Sequence, residues 1–300
     1  MREFHGQQIE GLRGTPFAKM TGSGNDFVFF DGRVVDKHAV TSVEAVRAIC
    51  NRHNGIGADG VVLLEPISVV DAQGVECASQ ARILYFNSDG SAADLCGNAT
   101  LCSTTMAVEL GLAQPSEMGL ETPAGRITSR VVGRLPEIEL PIVKTVVTDL
   151  DIGTGPGERR AGFVLVGVPH LVVHCEDADS INLAARGSLL RHHHAVGSDG
   201  ANVNWVSRLA GGTWRYRTFE RGVEAETLAC GTGAVATAIL LLAWSLAESP
   251  VEILTSSGRQ LVVGLSKNGD EWSPTLRGEG RVVFRGRIGD LDAEVASFNS

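Results

Sequence analysis

The chain has no cluster of lysine and arginine. Its 26 basic residues are outnumbered by 35 acidic ones, for a formal net charge of −9. Nothing in it is suited to neutralising a run of phosphates, so a nucleic-acid partner is not expected. It also lacks an apolar run long enough to cross a membrane. Residues 229–247 carry no charge, but the strongly apolar part, Ala234 to Ala247, is 14 residues. That is about 21 Å of helix at ~1.5 Å per residue, against a hydrocarbon core of about 30 Å. A helix apolar on all sides but too short to span is expected inside a domain. The opening MREFHGQQIEGLRGT has no apolar segment, so no secretory signal is expected and residues 1–15 read as a loose tail. Cysteines are few, 6 in all and irregularly spaced, which points to reduced cytoplasmic thiols rather than a disulfide framework. Low-complexity tracts and short repeats are absent.

What is there is an ordinary globular composition, 43% hydrophobic and 20% charged over 300 residues, enough for about two domains. Short β-branched runs bounded by Gly, Pro, Asn or Asp predict strands at 27–30, 61–64, 81–86, 163–166, 171–174, 203–206, 251–254 and 261–265. Helical periodicity is convincing at 43–52, 99–110 and 233–246. Each half of the chain therefore holds many strands and one strongly apolar helix. Residues 133–160, with three prolines and a Gly-Pro-Gly turn, suit an edge strand and a connection near a domain boundary.

Two places stand out. Cys96-Gly97-Asn98 and Cys230-Gly231-Thr232 each open an apolar helix, each after acidic residues. A helix N-terminus leaves backbone N–H groups unpaired and carries about half a positive charge. A cysteine there has its thiolate stabilised, which makes a base or nucleophile of the sulfur. The glycine that follows lets the backbone approach an anion, and such an end holds carboxylates well. For one such cysteine, a small buried hydrophobe is the simpler explanation; two matched openings favour chemistry. Other chemistries fit less well. Cys102 falls inside the apolar helix, so it makes no zinc pair with Cys96, and no metal site is expected. The run His192-His193-His194 suits an exposed loop. GTGAVATA lacks the Lys-Ser/Thr of a phosphate-binding loop. A cysteine hydrolase would leave the second opening unexplained.

The blocks FAKMTGSGNDFVFFDGR, NGIGADGVVLL, YFNSDGSAADLCGNATLC, GVPHLVV, GANVNWV and ERGVEAETLACGTGAVATA resemble, in order, those of the diaminopimelate epimerase family. The resemblance covers roughly residues 17–290 and implies an α/β (α+β type) fold: two pseudo-symmetric domains, each a curved, mostly antiparallel sheet around a central apolar helix. It implies an N-terminal domain of residues 16–132 plus 279–300, a C-terminal domain of 133–278, and an active site in the cleft between them. The implied reaction is interconversion of LL- and meso-diaminopimelate, in lysine and peptidoglycan precursor synthesis. It needs no cofactor and no metal. One cysteine takes the α-proton from one face and the other delivers a proton to the opposite face, so Cys96 and Cys230 are the implied catalytic pair. Asn25, Asn87, Gly97, Asn98, Asn202, Glu220, Arg221, Gly231 and Thr232 match positions that hold substrate, and His170 and Glu220 match positions that adjust the thiols. Closure on binding is expected, because helix ends alone stabilise too little charge. The implied partner is a small amino acid; a homodimer is common in such proteins.

Two departures bear on substrate identity. Val168 stands in GVPH where many members carry asparagine, and Arg221 to Cys230 spans 9 residues, one more than the commonest spacing, with the extra residue in Glu224-Ala225. A cofactor-independent racemase of another amino acid, or an amino-acid-binding protein of the same fold, are the alternatives. Retention of both cysteines disfavours mere binding. Replacing Cys96 or Cys230 with alanine is expected to abolish turnover in a steady-state assay; full activity in either variant would refute the two-base assignment.

Overall fold

A computed structural model of the chain describes residues 11–67, 69–70, 76–77, 80–93 and 96–291. They fall into two compact units, divided after Arg134 and after Glu279. The first contains β1 (Pro16–Gly22), β2 (Asn25–Asp31), β3 (Gly60–Pro66), β4 (Val69–Val70), β5 (Glu76–Cys77), β6 (Gln80–Asn87), β7 (Ala92–Ala93), β8 (Met118–Thr122) and β9 (Gly125–Val132). The second contains β10 (Leu135–Glu139), β11 (Val146–Val147), β12 (Glu158–Val166), β13 (Val168–Cys175), β14 (Asn202–Arg208), β15 (Trp214–Glu220), β16 (Ala225–Thr227), β17 (Val251–Leu254), β18 (Gln260–Asn268) and β19 (Glu271–Arg277). The chain then returns to the first unit as β20 (Arg281–Arg287), antiparallel to β1. The helices are α1 (Lys37–Thr41), α2 (Val43–Cys50), α3 (Gly97–Glu109), α4 (Leu183–Arg191) and α5 (Gly231–Ala243).

The two units repeat one topology. In the first, β1 runs antiparallel to β2, β2 parallel to β3, β3 antiparallel to β6, β6 parallel to β8, and β8 antiparallel to β9. In the second the same sequence of relations runs β12, β13, β14, β15, β17, β18. Most pairings are antiparallel, and each unit has two parallel ones. Parallel neighbours need a crossover, and helices supply it: α1 and α2 between β2 and β3, α4 between β13 and β14, α3 ahead of β8 and α5 ahead of β17.

Helices α3 and α5 are both 13 residues, and they match residue for residue at an offset of 230 − 96 = 134. Ser103 donates to the carbonyl of Ala99 as Thr237 does to that of Gly233, both at 2.8 Å. Both helices end alike. Leu110 and Trp244 close the last turn, and Gly111 (φ 68°) and Ser245 (φ 58°) then turn the backbone left-handed. Leu112 and Leu246 send their N–H groups back to the carbonyls of Ala107 and Leu241. This is the hydrogen-bond return of a left-handed C-terminal stop, and it explains why the apolar periodicity overruns the helix: residues 110 and 244–246 lie in the stop.

Each helix packs against the strands of its own unit. Around α3, the residues Ala99, Cys102, Met106 and Ala107 meet Met20, Phe27, Phe29, Val62 and Leu120. Helix α5 lies against β12, β13, β14, β18 and β19, and its Ala234 to Leu241 are all buried. Gly162 on β12 makes room for it, since a Cβ there would fall 2.8 Å from a Leu240 methyl and 2.8 Å from the Val147 carbonyl oxygen. No helix among the described residues is long and apolar enough to cross a membrane.

Several elements differ from the sequence expectations. Helix α2 ends at Cys50, where Asn51 turns extended. Helices α3 and α5 begin at Gly97 and Gly231, two residues before the apolar pattern starts, because the turn chemistry and not the pattern sets the start. Helices α1 and α4 and strands β1, β8, β9, β19 and β20 carry too little periodicity to be read from sequence. Of the stretch 1–15, residues 1–10 lie outside the described residues. Residues 11–15 are held to the unit at particular points rather than forming a loose tail: Leu12 is fully buried and Gly14 donates to the Ile288 carbonyl, while Gly11, Arg13 and Gly14 are exposed. The three histidines follow α4, with His192 and His194 exposed.

Leu240→Ala is expected to destabilise the protein by about 2–5 kcal/mol in denaturant unfolding, the range for a buried leucine that leaves a cavity.

Candidate active site

Cys96 and Cys230 are the N-cap residues of α3 and α5. Their backbones agree to a few degrees, φ −134° and ψ 114° for Cys96, φ −134° and ψ 111° for Cys230. Neither sulfur caps its own helix through a side-chain hydrogen bond. The first internal bonds are Thr100 N–H to the Cys96 carbonyl and Ala234 N–H to the Cys230 carbonyl. The N–H groups of residues 97–99 and 231–233 are therefore those a helix leaves for an outside acceptor. Both sulfurs are half-buried, whereas Cys50, Cys102 and Cys175 are buried. Among the described residues no group of His, Cys, Asp or Glu could hold a metal ion.

Behind α3 lies a charged support. The Asn98 amide donates to Asn25 Oδ1 at 2.6 Å, and Asn25 donates to Asp59 Oδ2 at 3.0 Å. Because Asp59 can only accept, it fixes both amides in turn, and Asn98 Oδ1 is left buried with no partner. Asp59 is paired with Arg52 at 2.6 Å, and Arg52 with Asp26 at 2.8 Å. The buried Lys19 completes the group at 2.7 Å from Asp26. Burial pushes the Asp26 carboxyl up, but the bonds from Arg52 and Lys19 outweigh it and hold it below its ordinary value. Sequence patterns missed Lys19, Asp26, Arg52 and Asp59; the acid in GADG was the available signal. Asn87 is placed in the turn from β6 to β7, where it donates to Ser91 Oγ at 3.0 Å.

Behind α5 the support is neutral. Thr232 Oγ1 lies 3.5 Å from Cys230 Sγ and 3.0 Å from His170 Nε2. Asn204 lies behind His170, 3.4 Å from Nδ1, and Tyr216 donates to Asn204 Oδ1 at 2.9 Å. His170 has no exposed surface. Burial, with the nearby Arg221 cation, pushes its pKa down to about 3, so the ring is neutral at working pH. Asn202 is tied at both ends, donating to the Pro169 carbonyl at 3.2 Å and accepting from the Arg221 N–H at 2.8 Å. It thus sets the backbone from which the Arg221 side chain departs. Among the described residues no carboxylate pairs with the Arg221 guanidinium. Glu220 accepts from Thr227 Oγ1 at 2.6 Å. The turn after it holds four residues, against three between Asn87 and Ser91, and Glu224 adopts φ 57° to close it. Asn204 and Tyr216 were missed in the sequence, although Asn204 lies on the same strand face as Asn202.

Counting through the pairings places Val168. Phe27 pairs with Gly60 and His170 with Asn202, so Asn25, two residues before Phe27, is the counterpart of Val168. The amide that anchors Asn98 in the first unit has an aliphatic counterpart in the second.

The doubled fold is shared with solved structures of low sequence identity. A hydroxyproline epimerase from Agrobacterium vitis aligns with a TM-score of 0.62 at 20% identity, covering 93% of each chain. A Bacillus anthracis phenazine biosynthesis protein of the PhzF family aligns with a TM-score of 0.67 at 13% identity, covering 91% of this chain and 98% of that one. These likenesses define the fold. Sequence comparison then defines the family: the diaminopimelate epimerase family model matches residues 17–139 and 162–283. The diaminopimelate epimerase of Gemmatimonas aurantiaca is 54% identical over 92% of this chain and 99% of its own length. That of Aquifex aeolicus is 37% identical over 91% and 98%. The chain belongs to the diaminopimelate epimerase family.

The buried neutral His170 has a consequence for stability. Between its unfolded value of about 6.5 and its folded value of about 3, the unfolded chain binds the extra proton. Stability is therefore full above about pH 6.5 and declines as pH falls toward 3. Urea midpoints measured at pH 7 and pH 4.5 are expected to fall less in a folded His170→Gln variant than in the native protein.

Proposed function

We propose that this chain interconverts LL- and meso-diaminopimelate, with Cys96 and Cys230 as a thiol/thiolate pair. One sulfur takes the α-proton from one face of the carbon and the other returns a proton to the opposite face. The observation that carries the proposal is the matched placement of two half-buried cysteines as N-caps of two equivalent helices, with backbone angles that agree to a few degrees. Near-full-length identity of 54% to a diaminopimelate epimerase supports the substrate.

The chemistry must stabilise charge that develops on the α-carboxylate as the proton leaves. Open N–H groups at Gly97-Asn98 and Gly231-Thr232 are suited to this, since preorganised donors aimed at developing charge cost no reorganisation. Helix-end electrostatics supply at most about 2 kcal/mol each, whereas catalysis commonly needs 8 kcal/mol or more. Exclusion of water, which strengthens every such contact, supplies the difference. Neither a metal nor an organic cofactor is required by this scheme. Arg221, without a carboxylate partner of its own among the described residues, suits bidentate grip of the distal carboxylate. Asn25, Asn87, Asn98, Asn202 and Glu220 orient the rest of the amino acid directly or by fixing neighbours. The work belongs to free amino-acid metabolism in the cytoplasm, with a homodimer as the assembly.

Val168 removes one amide where Asn25 stands in the first unit, which favours a second reading: a racemase with altered distal recognition. One assay separates the two. With LL-diaminopimelate in D₂O, the reduced protein is expected to incorporate α-deuterium and form the meso isomer. No exchange would sink the epimerase proposal, and exchange on a different amino acid alone would select the racemase.

A further inference from the structure

The two units share a topology but not the residues beneath their helix ends. Counting through the pairings, His170 takes the place of Phe27, Asn204 that of Val62, and Tyr216 that of Ile83. The first-unit trio is an ordinary apolar core, all buried. The second-unit trio is fully buried as well, yet each member is polar. Packing alone is thus met by hydrocarbon at these three positions, and burying polar groups there costs free energy unless they are bonded. The helix has adjusted to them: Ala99 in α3 corresponds to Gly233 in α5, where a Cβ would fall 2.3 Å from the Tyr216 hydroxyl and 2.5 Å from Asn204 Oδ1.

The fixed acceptors around the trio orient its hydrogen bonds. Asn204 Nδ2 lies 3.0 Å from the Leu171 carbonyl and 3.5 Å from that of Asn202, which only accept, so this atom is the amide nitrogen. The Tyr216 hydroxyl donates to the Asn204 oxygen at 2.9 Å, with the Cys230 carbonyl a longer second acceptor at 3.3 Å; burial pushes that phenol well above its ordinary value, so it stays a donor. The same Nδ2 faces His170 Nδ1, so Nδ1 accepts and the neutral ring carries its proton on Nε2. Nε2–H then donates to Thr232 Oγ1, and the Thr232 proton is left to point at Cys230 Sγ.

We propose that Asn204 and Tyr216 are positioning residues that lock His170 in the Nε2–H tautomer, so that Thr232 donates a hydrogen bond to the Cys230 thiolate. The relay runs Tyr216, Asn204, His170, Thr232, Cys230. It favours the charged form of that sulfur, as hydrogen bonds to an anion do. The charged groups bearing on it are Arg221, whose cation acts on His170, and Glu220, whose carboxylate acts on Tyr216. The first unit has Asn98 at the Thr232 position, with its amide committed to Asn25, so the two half-sites differ in what they offer their sulfurs. The catalytic significance rests on the epimerase proposal; the tautomer does not.

The test has two arms. In ¹⁵N-histidine-labelled native protein, His170 is expected as the Nε2–H tautomer across neutral pH, and the Nδ1–H tautomer would overturn the proposal whatever reaction the enzyme performs. Asn204→Asp replaces the donor with an acceptor, which turns the ring proton to Nδ1 and the Thr232 proton toward Nε2. Its kcat is expected to fall about tenfold or more with KM within about twofold, and the acid limb of its kcat–pH profile to move up by about one unit. Tyr216→Phe, which releases Asn204 while leaving no new charge, is expected to move both in the same direction by less, and decides the matter if Asn204→Asp does not fold. Profiles of the folded variants that superimpose on the native one would overturn the relay. Failure of the native enzyme to exchange α-deuterium would instead refute the epimerase proposal and leave the tautomer result standing.

Discussion

The structure depends on what an α-helix cannot do for itself: bond its first N–H groups. In α3 and α5 those donors stand immediately after a cysteine in extended backbone, and no side chain of the cap satisfies them. Almost everything else serves to hold that end in place. Each helix is buried in a sheet, ends at a left-handed stop after 13 residues, and has glycine as its first residue. A helix end bonded by its own cap, or one that slid along its sheet, would have nothing to offer a carboxylate.

Two solutions to the same positioning problem coexist in one chain. The first unit anchors its helix end on an ion-pair cluster of Asp59, Asp26, Arg52 and Lys19, of which Lys19 alone is buried, and passes the orientation through Asn25 to Asn98. The second uses a neutral chain through Tyr216, Asn204, His170 and Thr232. The topology and the helix ends are common to both, so the divergence lies in the residues between helix and sheet. An ionic anchor fixes geometry by charge pairing, and partners left behind by a deletion are costly. A neutral relay fixes geometry by donor and acceptor direction, and is sensitive to any change that reverses one link.

The long apolar helices, the paired Cys-Gly openings and most central strands were legible because each has a strong local signature: continuous hydrocarbon, a turn dipeptide, or a β-branched run. The starts of α3 and α5 were misread by two residues because apolar periodicity begins only after the Cys-Gly turn. The tail residues Leu12 and Gly14 were misread because their partner, Ile288, is distant in sequence. Asn204 and Tyr216 were invisible as site residues for the same reason. Asn204 sits inside GANVNWV without a role assigned to it, Tyr216 lies outside every matching block, and only strand pairing brings the two beneath Cys230. Val168 was noticed as a departure, yet its equivalence to Asn25 required the register of two parallel pairings.

The central claim is that position at an open helix end, and not the mere presence of a thiol, makes two of these sulfurs chemically active. Cys50 and Cys175 provide the internal contrast, since burial pushes both thiols up to about 12. The most direct measurement is residue-resolved alkylation of the reduced native protein at neutral pH, followed by peptide mass spectrometry. Cys96 and Cys230 are expected to react first and fastest, with saturating diaminopimelate protecting both and Cys50 and Cys175 remaining unmodified. Equal labelling of all four, or no protection of Cys96 and Cys230 by substrate, would contradict the claim.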